Sequence, residues 1–297
     1  MHSTLIWRLL SAAAAAAAVS ARPGCTQASN ATVKCPIVFD GRIKTTTQLS
    51  DFDSTSTSPF NPDYVKGQNL KWSQILKFPD TGGVNNSRFD NDSYKPLEVT
   101  ISDASIFQTQ KGFRRAGLQF QGDTNTNSPA VAGIKTLHFS VKQDPQRPLN
   151  LSHEYLNVWH EASDYSANQF NFEMGTIIGQ QESSLPKNTF KVLNRQNKMI
   201  WSTPVDGTAW QNFALQLDFN KNTLQVYYSK GSDPLKSVTN AVSNDNSGGG
   251  QFQIGMLKKP TGTSDVVNAG YQESKLNEGQ IYGSLFIEDS ANGCMSL

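Results

Sequence analysis

The sequence predicts an all-β protein whose antiparallel sheets pack as a two-sheet sandwich or jelly roll, with a cleft on the open face of one sheet. Apolar and polar residues alternate with a period of two at several places, which is typical of strands that bury one face. Gly, Pro, Asn and β-branched residues interrupt nearly every window, so no long apolar stripe with helical spacing remains. No repeat or low-complexity linker divides the 297 residues, and we expect a single domain at residues 33–297.

The alternation predicts the strands one by one along the chain. It recurs at residues 137–142, 213–219, 223–228, 252–256 and 281–287. Asn220-Lys221-Asn222 separates the second of these runs from the third, which predicts a hairpin between them. A short helix is expected near residues 70–78. Because one face of such a sheet packs into the core, the outward residues of each strand are the candidates for function.

The composition favours a secreted protein and argues against two classes of partner. Lys and Arg number 26 and Asp and Glu 25, so the net charge of +1 offers no basic surface for nucleic acid or an anionic membrane. Hydrophobic residues make up 37% of the chain and charged residues 17%, a low charged share for a cytosolic protein. We therefore expect no nucleic-acid or membrane partner, and a monomer.

The amino terminus has the features of a signal peptide. Arg8 precedes an apolar run at residues 9–19, and small residues lead to a cleavage site after Ala21. That run is shorter than the roughly 20 residues needed to span a bilayer. We expect residues 1–21 to be removed on export, residues 22–32 to form a short N-terminal segment, and the mature chain to be secreted and extracellular.

The cysteines and sequons agree with an oxidising compartment. Cys25, Cys35 and Cys294 form no CxxC pair, so a disulfide is a better interpretation than a metal or redox site. We favour Cys35–Cys294, which would join the two ends of the domain, although the sequence alone does not fix the connectivity. Potential N-glycosylation sites occur at Asn30, Asn85, Asn91 and Asn150.

Several catalytic chemistries lack the motif that they would need. The four histidines do not form HExxH or another zinc-binding spacing, and the sequence has no GxSxG, P-loop or GxGxxG motif. We therefore expect no metal and no cofactor. Carboxylate chemistry on a sheet remains, and paired carboxylates are the usual equipment of glycoside hydrolysis.

Two segments place polar and aromatic side chains on one predicted face. In residues 112–120 the apolar set is taken as inward, which leaves Arg115, Gly117 and Gln119 outward. In residues 153–161 Leu156 and Val158 are taken as inward, which leaves outward Tyr155, Asn157, Trp159 and Glu161. Aromatic rings among amides, a carboxylate and a guanidinium suit carbohydrate, although an ordinary solvated sheet face is an open alternative. His138 is a further sugar-binding candidate, for which a structural role is the favoured interpretation.

The sequence contains several distinctive strings in a consistent order. They are Cys35-Pro36-Ile37-Val38-Phe39-Asp40-Gly41-Arg42, Pro59-Phe60-Asn61-Pro62-Asp63-Tyr64-Val65-Lys66-Gly67, Gly112-Phe113-Arg114-Arg115-Ala116, Lys135-Thr136-Leu137-His138-Phe139-Ser140, Arg147-Pro148-Leu149-Asn150-Leu151-Ser152-His153-Glu154-Tyr155 and Ile281-Tyr282-Gly283. These strings resemble glycoside hydrolase family 131, a family of secreted fungal β-glucanases. The resemblance covers essentially the whole mature chain. It implies a β-jelly roll with a cleft that acts on β-1,3-, β-1,6- and β-1,4-linked glucan through two carboxylates.

One of those two carboxylates is missing at its expected position. The resemblance implies a catalytic Glu directly after Phe-Arg-Arg-Ala, and this chain has Gly117 there. For the second carboxylate, the alternation favours Glu161, and Glu154 is the second choice because it would need an edge position or a bulge to reach the cleft. Either could instead be an ion-pair partner of Arg114 or Arg115. Glu173 is a possible replacement for the missing group.

Three functions from different classes remain open at this stage. The first is a secreted β-glucan hydrolase, with cell-wall polysaccharide as its substrate and activity in question because of Gly117. The second is a catalytically weak or inactive glucan-binding protein of the same fold. The third is a cell-wall or host-interaction protein that uses the jelly roll only as a stable scaffold.

Overall fold

A computed structural model describes most of the chain. The described residues are 31–79, 86–179 and 186–297. The predicted signal peptide and Cys25 lie outside these ranges, as do the sequons at Asn30 and Asn85. Within them, no helix has both the length and the apolar character needed to cross a membrane.

The described residues form mainly strands. In chain order the strands are β1 (Ile37–Asp40), β2 (Ile43–Lys44), β3 (Leu76–Lys77), β4 (Tyr94–Lys95), β5 (Leu97–Ser102), β6 (Arg114–Leu118), β7 (Ile134–Gln143), β8 (Glu154–Glu161), β9 (Asn168–Gly175), β10 (Thr189–Asn194), β11 (Met199–Pro204), β12 (Gln211–Asp218), β13 (Thr223–Lys230), β14 (Lys236–Ser237), β15 (Val242–Ser243), β16 (Gln251–Lys258) and β17 (Asn277–Asp289). The helical elements are a single turn, α1 (Trp72–Ile75), and 3₁₀ turns at Leu49–Asp53, Pro129–Val131 and Ala291–Gly293. The predicted strands and the short helix near residues 70–78 are therefore confirmed.

Two large antiparallel sheets dominate the architecture, as the alternation predicts, and β2 and β4 form a small two-stranded sheet of their own. The nine-stranded sheet has the order β14-β13-β12-β7-β17-β5-β3, with β1 added on β17 and β15 on β13. The six-stranded sheet has the order β11-β10-β9-β8-β16-β6. The predicted hairpin is present, because Asp218 at the end of β12 pairs with Thr223 at the start of β13.

The core lies between the two sheets and is rich in phenylalanine. On β7 the alternating residues Leu137, Phe139 and Val141 are at most 1% exposed. The Phe139 ring stacks on Phe213 of β12 at 5.3 Å and meets Phe172 of β9 edge-on at 5.0 Å, which joins the two sheets. Removing a phenylalanine ring from such a core costs about 3–5 kcal/mol of unfolding free energy.

The ends of the domain meet on the nine-stranded sheet. Cys35, just before β1, forms a disulfide with Cys294, just after β17, as the sequence analysis favoured. On the outer face of this sheet His138 is fully buried, stacks on Phe286 at 4.5 Å and contacts Glu288 at 3.0 Å between Nε2 and Oε1. The prediction that His138 binds sugar is therefore wrong. Its side chain is buried on the face of the nine-stranded sheet that points away from the six-stranded sheet.

A β-bulge in β8 changes which side chains face outward. The pairing of β8 with β9 shifts between Leu156 and Val158, and its pairing with β16 shifts over the same stretch. Tyr155 and Asn157 consequently point into the space between the sheets, whereas Leu156 joins Trp159 on the outer face. The prediction that Tyr155 and Asn157 share the open face is wrong, because strict alternation does not continue through a bulge.

Candidate functional site

A cavity of about 740 Å³ lies over the outer face of the six-stranded sheet. Its floor comes from strands β6, β8 and β16, which contribute Arg115, Leu156, Trp159, Glu161 and Leu257. Its walls come from loops and from the neighbouring strand, and include Tyr64, Val65, Phe107, Tyr165, Asn171, Arg195, Asn197, Lys259 and Val266. The lining thus combines aromatic rings with amide, guanidinium and carboxylate groups, which is the mixture that recognises a sugar.

Arg115 is a buried cation in the floor of this cavity. It is only 5% exposed, and its guanidinium carbon lies 5.6 Å from the ring centroid of Trp159 and 5.7 Å from that of Phe107. Its Nη1 donates a hydrogen bond to Gln110 at 3.1 Å, and its Nε has no protein partner. Burial lowers the pKa of Arg115, while the charge of Glu161 acts to raise it. The guanidinium therefore places a positive charge in the floor of the cavity.

Glu161 is the only acid among the described residues that line the cavity. It ends β8 with its side chain partly exposed, on the same face as Trp159. Burial raises the pKa of Glu161, and the charge of Arg115 opposes part of this change. A raised pKa is the direction of change that a general acid in glycoside hydrolysis needs.

Gly117 lies on the same face, but its surroundings are already filled. A Cβ atom at this position would be 2.5 Å from Oε1 of Gln253 and 3.5 Å from Cη2 of Trp159. Gln253 is fully buried, and neither polar atom of its amide has a protein hydrogen-bond partner. The Gly117 backbone pairs with Val65, which donates to Gly117 O at 3.2 Å and accepts from Gly117 N at 2.9 Å. The space that a larger residue 117 would need is therefore occupied by the amide of Gln253.

Glu154 and Glu173 form a charged cluster beside the cavity, together with two lysines. Glu154 pairs with Lys259 through Oε1 and accepts a hydrogen bond from the Ile178 backbone at 2.6 Å through Oε2. Glu173 is 2% exposed, and burial and the neighbouring Glu154 raise its pKa well above the usual range. Lys191, opposite Glu173 on β10, donates to two backbone carbonyls at 3.0 and 3.1 Å. Of these four residues only Lys259 lines the cavity.

Comparison with known proteins agrees with this architecture. The sequence model of the catalytic N-terminal domain of glycoside hydrolase family 131 matches residues 37–293. The chain belongs to glycoside hydrolase family 131. No curated protein sequence is detectably similar to it.

Two solved structures of family 131 catalytic domains share the fold. The β-glucanase catalytic domain from Podospora anserina is 20% identical, with a TM-score of 0.68 over 88% of this chain and 97% of that one. The catalytic domain from Coprinopsis cinerea is 21% identical, with a TM-score of 0.64 over 88% of this chain and all of that one. At this identity the likeness is one of fold.

The structure brings only part of the predicted site of this family 131 chain together. Arg115, Trp159 and Glu161 line one cavity. Gln119 lies on the same sheet face but does not line the cavity, because its amide donates to the Asp123 carbonyl and to Gln251 at 2.6 Å. Tyr155 donates its hydroxyl to Glu278 at 2.9 Å between the sheets, so it belongs to the core rather than to the cavity. The same correction applies to Asn157, which is fully buried.

The sequence analysis misses the residues that form the cavity walls. Tyr64 comes from the segment that covers β6, and Tyr165 comes from the turn between β8 and β9. Arg195 and Asn197 follow β10, and Lys259 follows β16. Strand alternation carries no information about such loop residues. For Tyr64 and Val65 a signal exists, since both belong to one of the strings that resemble family 131.

Proposed function

We propose that this member of glycoside hydrolase family 131 is a secreted protein that hydrolyses β-glucan in the cavity over the six-stranded sheet, with Glu161 as its principal catalytic group. The observation that carries the proposal is the position of Glu161, the one acid among the described lining residues, beside Arg115 and Trp159. An aromatic floor can pack against the apolar face of a glucose ring, and the surrounding amides and guanidinium can bind its hydroxyls.

In this proposal Glu161 is the general acid that protonates the glycosidic oxygen. Burial raises the pKa of Glu161, which is the direction that a general acid requires. Both established mechanisms of glycoside hydrolysis use a second carboxylate, as nucleophile or as base for a water molecule. Glu154 and Glu173 lie beside the cavity rather than in its lining, so we expect hydrolysis to be slow.

The second candidate function is glucan binding without efficient hydrolysis. Gly117, at the position where the family motif implies a carboxylate, favours this candidate, and the neighbouring Gln253 occupies the space that the Cβ atom of a larger residue would take. General acid–base assistance contributes about 10²–10⁴-fold in rate. A protein without one of the two groups would retain the binding cavity and lose a factor of that order.

The test measures hydrolysis and binding on the same preparations. Reducing-sugar release is followed with β-1,3-, β-1,6-, mixed-linkage and β-1,4-glucans, and binding of the matching oligosaccharides is followed by calorimetry. Glu161→Gln keeps the size of the side chain and should lower any hydrolysis at least a hundredfold, with much smaller changes in affinity. Glu173→Gln is the matched control, because Glu173 is buried outside the cavity lining; it should retain hydrolysis.

Each result separates the candidates. Full hydrolysis by Glu161→Gln would remove Glu161 from the mechanism, and loss of hydrolysis in Glu173→Gln alone would transfer the catalytic role to the buried cluster. Binding without sugar release would leave the glucan-binding function. Secretion is tested separately by sequencing the exported protein, which should begin at Arg22.

A further inference from the structure

Tyr165 has an unusual backbone conformation at the edge of the cavity. It lies in the turn between β8 and β9 with a φ of +59°, in the left-handed region that a bulky residue rarely adopts. Of the seven described non-glycine residues with positive φ, three line this cavity: Gln108, Tyr165 and Asn197. Backbone strain of this kind tends to be concentrated at binding and catalytic sites. A glycine at position 165 would relieve the strain, so the tyrosine side chain needs another explanation.

The Tyr165 ring is exposed and yet held in place. Its relative exposure is 58%, so the ring gains little from burial in the protein itself. Asn125 donates a hydrogen bond to the Tyr165 hydroxyl at 2.6 Å. The backbone N–H of Tyr165 donates to the Ala162 carbonyl at 2.9 Å. The hydroxyl also interacts electrostatically with the side chain of Tyr64, another residue of the cavity lining. These contacts fix an aromatic surface that faces a cavity open to solvent.

We propose that Tyr165 is a sugar-stacking residue that binds one pyranose ring of a neutral β-glucan chain next to Glu161. The inference rests on the proposed function, because it assigns a binding residue to the same cavity. A tyrosine ring with a fixed hydroxyl presents an apolar face to the C–H groups of a sugar and loses little conformational entropy on binding. Tyr64 and Asn125 then act as positioning residues, because they hold the ring through its hydroxyl group.

The alternative is that Tyr165 only stabilises the turn. That role predicts that removal of the side chain lowers the melting temperature and leaves sugar binding unchanged. Sugar stacking predicts the reverse for Tyr165→Gly, since glycine adopts positive φ without strain. The affinity should fall about fivefold or more, in line with the contribution of an aromatic contact, while the melting temperature stays equal or rises.

The experiment measures oligosaccharide binding by calorimetry and thermal unfolding for three variants of the full chain. Tyr165→Gly removes the ring. Tyr165→Phe keeps the ring but loses the hydroxyl contacts that hold it, so its affinity should lie between that of Tyr165→Gly and that of the unmodified protein. Tyr271→Ala is the control, because Tyr271 is 63% exposed and lies outside the cavity lining. It should bind as the unmodified protein does.

The outcomes separate this inference from the proposed function. Unchanged affinity in Tyr165→Gly, or an equal loss in Tyr271→Ala, would overturn the stacking role even if hydrolysis is measured. If Tyr165→Gly loses both affinity and stability, then Tyr165→Phe must still bind, and its failure would also overturn the stacking role. Binding that depends on Tyr165 in a protein that releases no sugar would refute hydrolysis and leave the inference intact. A protein that binds no β-glucan oligosaccharide would refute the stacking role outright.

Discussion

The contact between Gly117 and Gln253 predicts a strong energetic coupling between these two positions. In Gly117→Ala the new methyl group would lie 2.5 Å from Oε1 of Gln253, so the amide of Gln253 must move by several tenths of an ångström or more. Oε1 is the far end of a flexible side chain, but Gln253 is fully buried, so its amide can move only where the packed neighbours give way. Overpacking of this kind costs about 1–3 kcal/mol of unfolding free energy. When Gln253 is replaced by Ala as well, the nearest remaining contact to the methyl group is Trp159 at 3.5 Å, an ordinary van der Waals distance.

A double-mutant cycle measures this coupling directly. The unfolding free energies of Gly117→Ala, Gln253→Ala and the double variant are obtained from urea denaturation followed by tryptophan fluorescence. Adding the two single-variant changes to the unfolding free energy of the unmodified protein gives the value expected without coupling. We expect the measured unfolding free energy of the double variant to exceed that value by about 1–3 kcal/mol. Additivity within about 0.5 kcal/mol would show that the cavity floor adapts freely and would refute the packing argument.

The same reasoning governs any attempt to restore a carboxylate at position 117. Glutamate shares the Cβ position of alanine and adds a longer side chain that has to reach the cavity. Gly117→Glu is therefore expected to gain hydrolysis only in combination with Gln253→Ala, which vacates the occupied space. A gain in the single variant, equal to that in the double variant, would contradict this expectation.

Two further predictions concern the pH dependence of stability at Asp90 and the structural role of His138. Burial raises the pKa of Asp90 from 3.8 to about 6. Between about pH 4 and 6 the folded state therefore keeps a proton that the unfolded chain has released. Because the folded state binds more protons, the unfolding free energy falls as the pH rises through this range. In Asp90→Asn the decrease in unfolding free energy between about pH 4 and 6 should be smaller by about 1–3 kcal/mol, as measured by urea denaturation. An unchanged pH profile would contradict the raised pKa of Asp90. His138→Leu deprives the buried Glu288 of a partner and should lower the unfolding free energy by about 1–3 kcal/mol, yet leave oligosaccharide affinity unchanged in calorimetry. A selective loss of affinity in His138→Leu would return this residue to the candidate site.

The fold followed from the sequence because most strands keep a strict two-residue period. On β7 and β12 the alternation correctly identifies the residues that face the core between the sheets, from Leu137 on one strand to Leu217 on the other. On β8 it fails at Asn157, where the bulge reverses the outward and inward sets. The partner strand contains a signal for this, since Gly255 interrupts β16 and a glycine inside a strand often marks a bulge. A Cβ atom there would lie 2.1 Å from the Ala116 carbonyl.

The candidate site was less accessible to sequence reasoning for a different reason. Arg115, Trp159 and Glu161 were found because strand residues have a predictable direction. Tyr165 and Arg195 come from turns, whose positions depend on how the strands on both sides pair. Loop placement is a property of the tertiary structure, and a period of two residues cannot report it.

The disulfide between Cys35 and Cys294 has a practical consequence for work with this protein. It holds both ends of the folded domain on the nine-stranded sheet, beside β1 and β17, while the cavity is on the outer face of the other sheet. A label, an anchor to a sensor surface or a fused reporter at either end would therefore be attached on the side of the molecule away from the cavity. Access of a long polysaccharide chain to Glu161 should be the same for immobilised and free protein.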